Sequence, residues 1–323
     1  MARYVVTGEL PEAARSLYPT GIHFQFTGPG PAARDVLLAE VAEAEGLLCT
    51  LVDQIDVELL ASAAHLRVVS QMAVGVDNID VSACTSRRIP VGHTPDVLTE
   101  TTADTAMALL LASLRRIPEG QEFVRTGHWK QWSFDLLTGE DLHGSTVGIV
   151  GLGRIGAAIV RRLNGFGVRM LYSGPRRKAP FESRYRIGYR TLEDLLTESD
   201  HVILSAPLNE STRRMIDDAA LEMMKPGATL VNISRGGLVD HDALARALSS
   251  GRLGRAALDV TDPEPIPVDH PLVKMSNCIV IPHLGSASVQ TRLAMARRAL
   301  ENLVAGLEGR RLRWCVNPEV YEA

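Results

Sequence analysis

The feature that most constrains the fold is residues 146 to 163, TVGIVGLGRIGAAIVRRL, where glycines 151, 153 and 156 separate an apolar strand from a helical run. The first glycine permits a tight turn, the second lets a pyrophosphate approach the backbone, and the third lets helix and strand pack closely. The helix start offers free N–H groups and a partial positive charge to phosphates. This order of strand, loop and helix, with a second strand following, predicts a Rossmann-type dinucleotide-binding domain.

Short apolar runs alternate with helical patterns through most of the chain. RYVVTG, IHFQF, GLLCT, LRVVSQM and IPVGH predict strands in the first hundred residues, with helices at PEAARSLY, AARDVLLAEV and VELLASAAH. A helix at TETTADTAMALLLASLRRI precedes six further strands, TVGIV, VRMLYS, HVILSAP, ATLVNIS, RAALDV and NCIVIPH. The alternation predicts an α/β fold with parallel sheets. We expect a dinucleotide-binding domain at 98–285 and a discontinuous domain at 1–97 plus 286–323, to which the last helix, ASVQTRLAMARRALENLVAGLEG, returns.

Composition narrows the class of protein. The 323 residues suffice for two domains, and an apolar fraction of 46% suits a globular protein with a sizeable core. A net charge of −4 gives no reason to expect nucleic acid as a partner. The four cysteines lie far apart, without metal or redox spacing, which predicts free thiols in a reducing compartment and no metal. No signal peptide or membrane-spanning run is visible. We therefore expect a cytoplasmic protein without a membrane partner.

The end of the second strand of the glycine-loop unit indicates which dinucleotide binds. An NAD-binding chain carries Asp or Glu there to accept the ribose 2′-hydroxyl. This chain has Ser173 and Gly174 instead, with no carboxylate before Glu182. Arg176 and Arg177 suit a 2′-phosphate, which guanidinium groups bind by paired, charge-assisted hydrogen bonds. We predict that NADPH is the preferred cofactor, with NADH as the weaker one.

Polar residues follow three later strands, where parallel sheets collect function. A keto acid reductase needs a cation for the substrate carboxylate and ketone, an acid that protonates the oxygen, and a carboxylate that keeps this acid charged. Arg235, His283 and Glu264 have the chemistry for these roles, and spacing alone leaves open whether they converge. Asp259 has two interpretations, either a cofactor contact or a strand-end carboxylate with its own hydrogen bonds.

These segments resemble the D-isomer-specific 2-hydroxyacid dehydrogenases over nearly the whole chain. The matching motifs are MAVGVDNID, TPDVLTETTAD, VGIVGLGRIG, NISRGGLVD, ALDVTDPEP and IPHLGSAS. Within the family, DVTDPEPIPVDHPL and PHLGSAS look most like the glyoxylate/hydroxypyruvate reductases. The resemblance implies two doubly wound domains with a cleft between them, and a homodimer joined through the cofactor domain. It also implies that residues 1–97 plus 286–323 bind the substrate.

The resemblance assigns roles residue by residue. Arg235 matches the substrate-binding arginine, Glu264 the partner carboxylate and His283 the acid/base. The predicted cofactor contacts are Gly151, Gly153, Arg154, Ile155, Gly156, Ser173, Arg176, Arg177, Pro207, Ile233, Ser234, Asp259 and Gly285.

The resemblance also implies a small 2-keto acid as substrate. Val74 and Gly75 match backbone amides that hold the carboxylate, and Ser286 follows the catalytic histidine. Leu51, with Trp129 or Trp132, would limit the space beyond C2. These residues predict reduction of glyoxylate to glycolate and of hydroxypyruvate to D-glycerate.

Two alternatives remain at this point. A relative could act on a bulkier 2-keto acid or on phosphite, although phosphite dehydrogenases carry lysine where this chain has Val74. Corepressors that sense NAD(H) share the fold and keep the catalytic residues. The chain shows no long tail or extra interaction segment of the kind expected of them, and turnover with glyoxylate would separate the two.

Overall fold

The computed structural model describes residues 3–8, 10, 14, 18, 23–28 and 32–322. The predicted helix PEAARSLY lies almost entirely outside the described residues. The chain divides into two compact units, Met1–Leu98 with Ser288–Ala323, and Thr99–Ala287. The change between units thus falls one residue later than predicted at the first boundary, and two residues later at the second.

The first unit contains a five-stranded parallel sheet. Its strands are β1 (Arg3–Val6), β2 (His23–Phe26), β3 (Gly46–Cys49), β4 (Val68–Gln71) and β5 (Val91–Gly92), in the order β2-β1-β3-β4-β5. The helices are α1 (Arg34–Val41), α2 (Val57–Ser62), α3 (Val81–Ser86) and α12 (Val289–Leu307). The predicted strands are all present, whereas the short helix α3 was not predicted.

The second unit contains a seven-stranded sheet in which every pair is parallel. Its strands are β6 (Thr146–Val150), β7 (Arg169–Ser173), β8 (Gly188–Tyr189), β9 (His201–Leu204), β10 (Thr229–Asn232), β11 (Arg255–Leu258) and β12 (Cys278–Val280). Its helices are α4 (Thr99–Leu114), α5 (Ile117–Arg125), α6 (Arg154–Leu163), α7 (Ala179–Tyr185), α8 (Leu192–Glu198), α9 (Asp218–Met223), α10 (His241–Ser249) and α11 (Pro271–Lys274). All six predicted strands form, and the two-residue edge strand β8 is the one that was missed.

Both sheets are covered on both faces, which explains why their strands are nearly continuous apolar runs. In the second unit Val202, Leu204 and Leu230 pack on one side and Ile149, Ile203 and Val231 on the other. In the first unit α12 covers one face of the sheet, where Leu300 and Leu303 pack with Val6, Leu48 and Val68. The predicted fold class, two doubly wound parallel-sheet domains, is confirmed.

The strand order of the larger sheet, β12-β11-β10-β9-β6-β7-β8, positions its ligand crevice. The chain first winds outward from β6 to β7 and β8, then crosses to β9 on the other side. The reversal between β6 and β9 leaves a crevice at the carboxyl ends of the strands, where doubly wound sheets bind their ligands. Among the described residues, no helix is both long enough and apolar enough to cross a membrane.

Candidate active site

Most predicted site residues of the second unit lie at one edge of its sheet. The glycine loop follows β6, Ser173 ends β7, Pro207 follows β9, Arg235 follows β10, and the segments with Glu264 and His283 follow β11 and β12. All of these strands are parallel, so their carboxyl ends meet at the same edge. Residues that are more than a hundred positions apart in the sequence, such as Gly151 and His283, therefore lie at the same edge of the sheet.

The surroundings of each glycine in the loop show what the lack of a side chain permits there. Gly151 has φ +96°, and a Cβ there would lie 2.6 Å from the Ala206 nitrogen. A Cβ on Gly156 would lie 2.3 Å from the Gly151 carbonyl oxygen, so a side chain would force α6 away from the loop. Gly153, the N-cap of α6, has no heavy atom within 4 Å of its Cβ position and no capping side chain. This open helix start suits a pyrophosphate.

The two arginines in the turn after β7 differ in their contacts. Glu182 accepts hydrogen bonds from Arg177 Nε at 3.2 Å and Nη2 at 2.8 Å, and from the hydroxyl of Tyr172 at 2.8 Å. The hydrogen bond from Arg177 is the main reason that the pKa of Glu182 falls to about 2. Arg176 is exposed and has no ion-pair partner among the described residues. The sequence analysis predicted that both arginines bind the 2′-phosphate, and this stays a prediction, with Arg177 already paired with Glu182 in the structure.

A third cation of the same turn lies over the glycine loop. Lys178 donates from Nζ to the carbonyl oxygen of Leu152, and its backbone N–H donates to the Tyr172 hydroxyl at 2.7 Å. The aromatic ring of Tyr172 is buried, so it anchors the turn. Sequence reasoning did not assign Lys178 to the site.

His283 and Glu264 form a close pair. The distance from His283 Nδ1 to Glu264 Oε1 is 2.6 Å, and the carboxylate also accepts the Thr261 N–H at 3.3 Å. Burial favours the neutral acid, but the hydrogen bond from His283 and the positive charges of His283 and Arg235 outweigh it and lower the pKa of Glu264. Since a carboxylate accepts at Nδ1, the ring carries its proton there and presents Nε2 for proton exchange.

Arg235 belongs to the same group of charges. It precedes the short 3-10 helix Gly236–Leu238, and its Nη1 donates to the Ser234 carbonyl at 2.8 Å. The Asn232 side chain donates to the Arg235 carbonyl at 2.8 Å and accepts the Ser234 N–H at 3.1 Å. These bonds hold the loop after β10 in place, and the charge of Arg235 acts on Glu264.

Gly236 explains how the Arg235 and Glu264 loops can approach each other. A Cβ at this position would lie 1.9 Å from the Thr261 carbonyl carbon and 2.5 Å from the Asp262 nitrogen. No real side chain fits against backbone at that distance. Sequence reasoning did not assign Gly236 to the site, although the glycine pair in SRGGL signalled close backbone approach.

Asp259 holds the loop that carries His283. Its side chain is buried, and its two oxygens accept the N–H groups of Leu284 at 2.5 Å and Gly285 at 2.9 Å. Burial raises the pKa of Asp259, although these hydrogen bonds oppose the shift. His283 itself has φ +51°, an unusual conformation for a residue with a side chain. The hydrogen bonds of Asp259 therefore support the second interpretation of this residue, while its cofactor role stays a prediction.

In the first unit, Val74 and Gly75 lie in the loop after β4. The Val74 carbonyl is 3.0 Å from His93 Nδ1, and the Gly75 carbonyl accepts from Gln71 Nε2 at 3.3 Å. Gln71 also donates to Asn78 Oδ1 at 2.7 Å. Within the described part of the chain, no hydrogen-bond partner is found for the Val74 and Gly75 amides. The loop is thus fastened by its carbonyls rather than by these two N–H groups.

The remaining predicted residues occupy strand ends or adjacent turns. Leu51 is half-buried in the turn after β3, and Ser286 is buried in the second unit. Ser173, Ile155 and Ser234 are half-buried, Ile233 is buried, and Arg154 and Pro207 are exposed. Trp129 and Trp132, in the segment after α5, are 56% and 74% exposed. Within the described residues, no group of three or more potential ligands could hold a metal ion.

Comparison with protein families identifies the region that contains the site. Residues 107–285 match the family model of the D-isomer specific 2-hydroxyacid dehydrogenase, NAD binding domain. A glyoxylate reductase from Korarchaeum cryptofilum is 46% identical over 322 residues, covering 98% of this chain and 96% of its own length.

Solved structures give the same result for the fold. A Thermus thermophilus protein superposes with a TM-score of 0.92 at 44% identity, covering 97% of this chain and 99% of its own. An NADPH-dependent glyoxylate/hydroxypyruvate reductase from Sinorhizobium meliloti, in complex with NADP and malonate, has a TM-score of 0.88 at 33% identity. That comparison covers 98% of this chain and 97% of the relative.

Proposed function

The chain belongs to the D-isomer-specific 2-hydroxyacid dehydrogenases, and we propose that it reduces glyoxylate to glycolate and hydroxypyruvate to D-glycerate with NADPH. Family membership confirms the resemblance and makes the protein a nicotinamide-dependent dehydrogenase of D-2-hydroxy acids. The observation that carries the proposal is the His283–Glu264 pair, at 2.6 Å, with Arg235 acting on the same carboxylate. Two of the relatives named above, from Korarchaeum cryptofilum and Sinorhizobium meliloti, are a glyoxylate reductase and a glyoxylate/hydroxypyruvate reductase, which favours these two substrates.

Each residue of the proposed site has its own role in the reduction of the keto acid. When bound, the nicotinamide supplies a hydride to the carbonyl carbon of the keto acid. Arg235 pairs with the substrate carboxylate and polarises the ketone oxygen, on which negative charge develops. His283 donates the Nε2 proton to that oxygen, and Glu264 stabilises the charged imidazole before the transfer. In the oxidative direction neutral His283 accepts the same proton.

The residues present fit a nicotinamide dinucleotide. The open start of α6 at Gly153 would take the pyrophosphate, together with Arg154 and Ile155. Pro207, Ile233, Ser234 and Gly285 would border the ring and ribose. Preference for NADPH is supported by the absence of an acidic residue at Ser173, by the exposed Arg176 and by Lys178 over the glycine loop.

We place the substrate carboxylate on the amides of Val74 and Gly75. Two backbone N–H groups without other partners form a fixed pair of donors, which a carboxylate can accept. Leu51 and Ser286 would complete the substrate contacts, and the apolar side chain of Leu51 favours small acids. In this proposal Met1–Leu98 with Ser288–Ala323 supplies the substrate-binding domain.

We also propose a cytoplasmic homodimer joined through the cofactor domain. Ile117 and Val124 of α5, with Trp129, Trp132 and Phe134 after it, are between 55% and 88% exposed. Several large apolar side chains exposed within one stretch of 18 residues are typical of a surface that a partner covers. The four free thiols suit a reducing compartment.

A steady-state panel tests the proposed activity. Purified protein would be assayed with glyoxylate, hydroxypyruvate, pyruvate and phenylpyruvate, each with NADPH and with NADH. We expect glyoxylate and hydroxypyruvate to give the highest kcat/KM, in each case with NADPH. A clear preference for phenylpyruvate would contradict the small-acid assignment, and absence of turnover with every acid would favour the corepressor alternative.

A further inference from the structure

The first unit contains a cavity that takes no part in the proposed reaction. It has a volume of about 530 Å³ and lies between the second half of α12 and the segment that follows that helix. A volume of this size matches small-molecule sites. Its lining includes Arg297, Arg310, Arg311 and Arg313, with Glu301 as the single carboxylate.

The arginines of this cavity are poorly neutralised. Arg310 pairs with Glu308, but no carboxylate within the described residues pairs with Arg297, Arg311 or Arg313. Residues 292 to 313 contain six arginines and two glutamates, in a chain whose net charge is −4. Clustered positive charge repels itself, and a bound anion would relieve this repulsion.

Aromatic stacking orients two of these guanidinium groups. Arg313 lies 4.9 Å from the centre of the Trp314 ring, and Arg311 lies 5.0 Å from that of Tyr321. A stacked guanidinium keeps its N–H edge available, and this edge matches the oxygen pairs of phosphates and carboxylates. By contrast, Arg298 stacks on Trp314 at 4.3 Å but donates to the Pro95 carbonyl and does not line the cavity.

Hydrogen bonds join the wall of the cavity to the loop that holds Val74. The Trp314 carbonyl accepts the His93 N–H at 3.1 Å, and buried Asn302 donates to the His93 carbonyl at 3.0 Å. Asn302 also accepts the Trp314 N–H at 3.4 Å. The His93 ring in turn bonds to the Val74 carbonyl at 3.0 Å. A shift of Trp314 would therefore be transmitted to the backbone of Val74.

We propose that this cavity is an effector site for a compact, multiply charged oxyanion, and that its occupancy changes the affinity for the keto acid. The ligand class follows from the unpaired arginine edges, which suit a phosphorylated or polycarboxylate metabolite. The effect on keto acid affinity follows from the hydrogen bond between the His93 ring and the Val74 carbonyl, because Val74 belongs to the loop proposed to bind the substrate carboxylate. The effect on keto acid affinity rests on the proposed function, whereas binding of the anion does not.

Calorimetry with inorganic pyrophosphate tests binding. The full-length protein would be saturated with NADP⁺ beforehand, so that the glycine loop cannot bind the probe. We expect saturable binding, weakened at least tenfold in the Arg311→Gln/Arg313→Gln double variant and unchanged in Arg67→Gln, which removes one charge elsewhere in the same unit. Citrate as a second probe distinguishes a polycarboxylate from a phosphate ligand. Absence of binding by both probes, or equal binding by the double variant, would overturn the site.

The effector role needs a kinetic measurement at constant ionic strength. With saturating pyrophosphate, the KM for glyoxylate should change at least twofold in the wild type and stay constant in the double variant, with kcat little altered. Binding without any change in KM would overturn the coupling through His93. A protein that binds the probe but turns over no keto acid would instead refute the proposed reaction and leave the anion site standing.

Discussion

The two parallel sheets present different chemical groups at the carboxyl ends of their strands. At the carboxyl edge of the larger sheet, charged side chains lie close together. His283 and Glu264 form a hydrogen-bonded pair, and the positive charge of Arg235 lowers the pKa of Glu264. The loop after β4 of the smaller sheet instead presents the amides of Val74 and Gly75, fastened from behind through their carbonyls. In the proposed function, one edge acts through side chains that gain and lose protons, and the other through backbone N–H groups in fixed positions.

This difference determines how each edge can be studied. A side chain can be removed by substitution, so the proposed roles at the edge of the larger sheet (the larger edge) can be tested directly. A backbone N–H group survives every substitution except proline. The loop at the edge of the smaller sheet (the smaller edge) can therefore be altered only through the residues that hold it in position. We expect the largest effects where a reacting side chain is lost and the smallest where a supporting contact is lost.

The largest effect should follow from His283→Ala. A positioned general acid contributes about 100-fold or more to the rate, so kcat for glyoxylate should fall at least that much. Binding of NADPH, measured by fluorescence, should change little, because the ring donates to the substrate oxygen. His65→Ala, which removes an exposed imidazole of the other unit, serves as the control. A loss below tenfold would mean that another group supplies the proton.

Cofactor preference at the larger edge should depend on Arg176 and Arg177. A charge-assisted hydrogen bond contributes about 1.5–3 kcal/mol, and about 1.4 kcal/mol corresponds to a factor of ten. The double alanine variant should lose at least tenfold in kcat/KM with NADPH and keep its activity with NADH.

The single variants sharpen this prediction. Because Glu182 already occupies Arg177, Arg176→Ala should account for more of the loss than Arg177→Ala. Dissociation constants of 2′,5′-ADP and 5′-ADP would show whether the change lies at the 2′-phosphate. Equal losses for both nucleotides would refute the 2′-phosphate assignment.

The pH profile should reveal the charge of Glu264. Charged His283 lowers the pKa of Glu264, so the carboxylate and the protonated ring stabilise each other. Glu264→Gln keeps the shape and removes this stabilisation. The alkaline decline of glyoxylate reduction should therefore move to lower pH, with a several-fold loss at neutral pH. An unchanged profile would indicate that a different group controls the proton supply.

The sequence predicted most residues at the carboxyl edge of the larger sheet, but few of the contacts that hold these residues in position. Strands, the glycine loop and the polar residues at strand ends all follow from local patterns, which explains why six strands of the second unit were found. The Arg177–Glu182 pair depends on a turn and the first turn of α7, and the Gly236–Thr261 approach joins residues 25 positions apart. Such contacts arise from the packing of whole elements, so a local pattern such as the glycine pair of SRGGL can indicate a close approach but not which residue is approached.

The smallest effect should come from the support of the Val74–Gly75 loop. Gln71 is fully buried, and its amide holds the Gly75 carbonyl and Asn78. Gln71→Met keeps the volume but removes both of these hydrogen bonds, together with the one that Cys49 Sγ donates to Gln71 Oε1 at 3.1 Å. The loop should then lose its fixed position while its N–H groups remain. We expect the KM for glyoxylate to rise about threefold to tenfold with kcat nearly constant, since a carboxylate contact made equally in ground and transition states affects KM alone. Gln54→Met, at an exposed position of the same unit, is the matched control. A fall in kcat with constant KM would mean that this loop acts in the chemical step, and the contrast between a reacting edge and a binding edge would no longer hold.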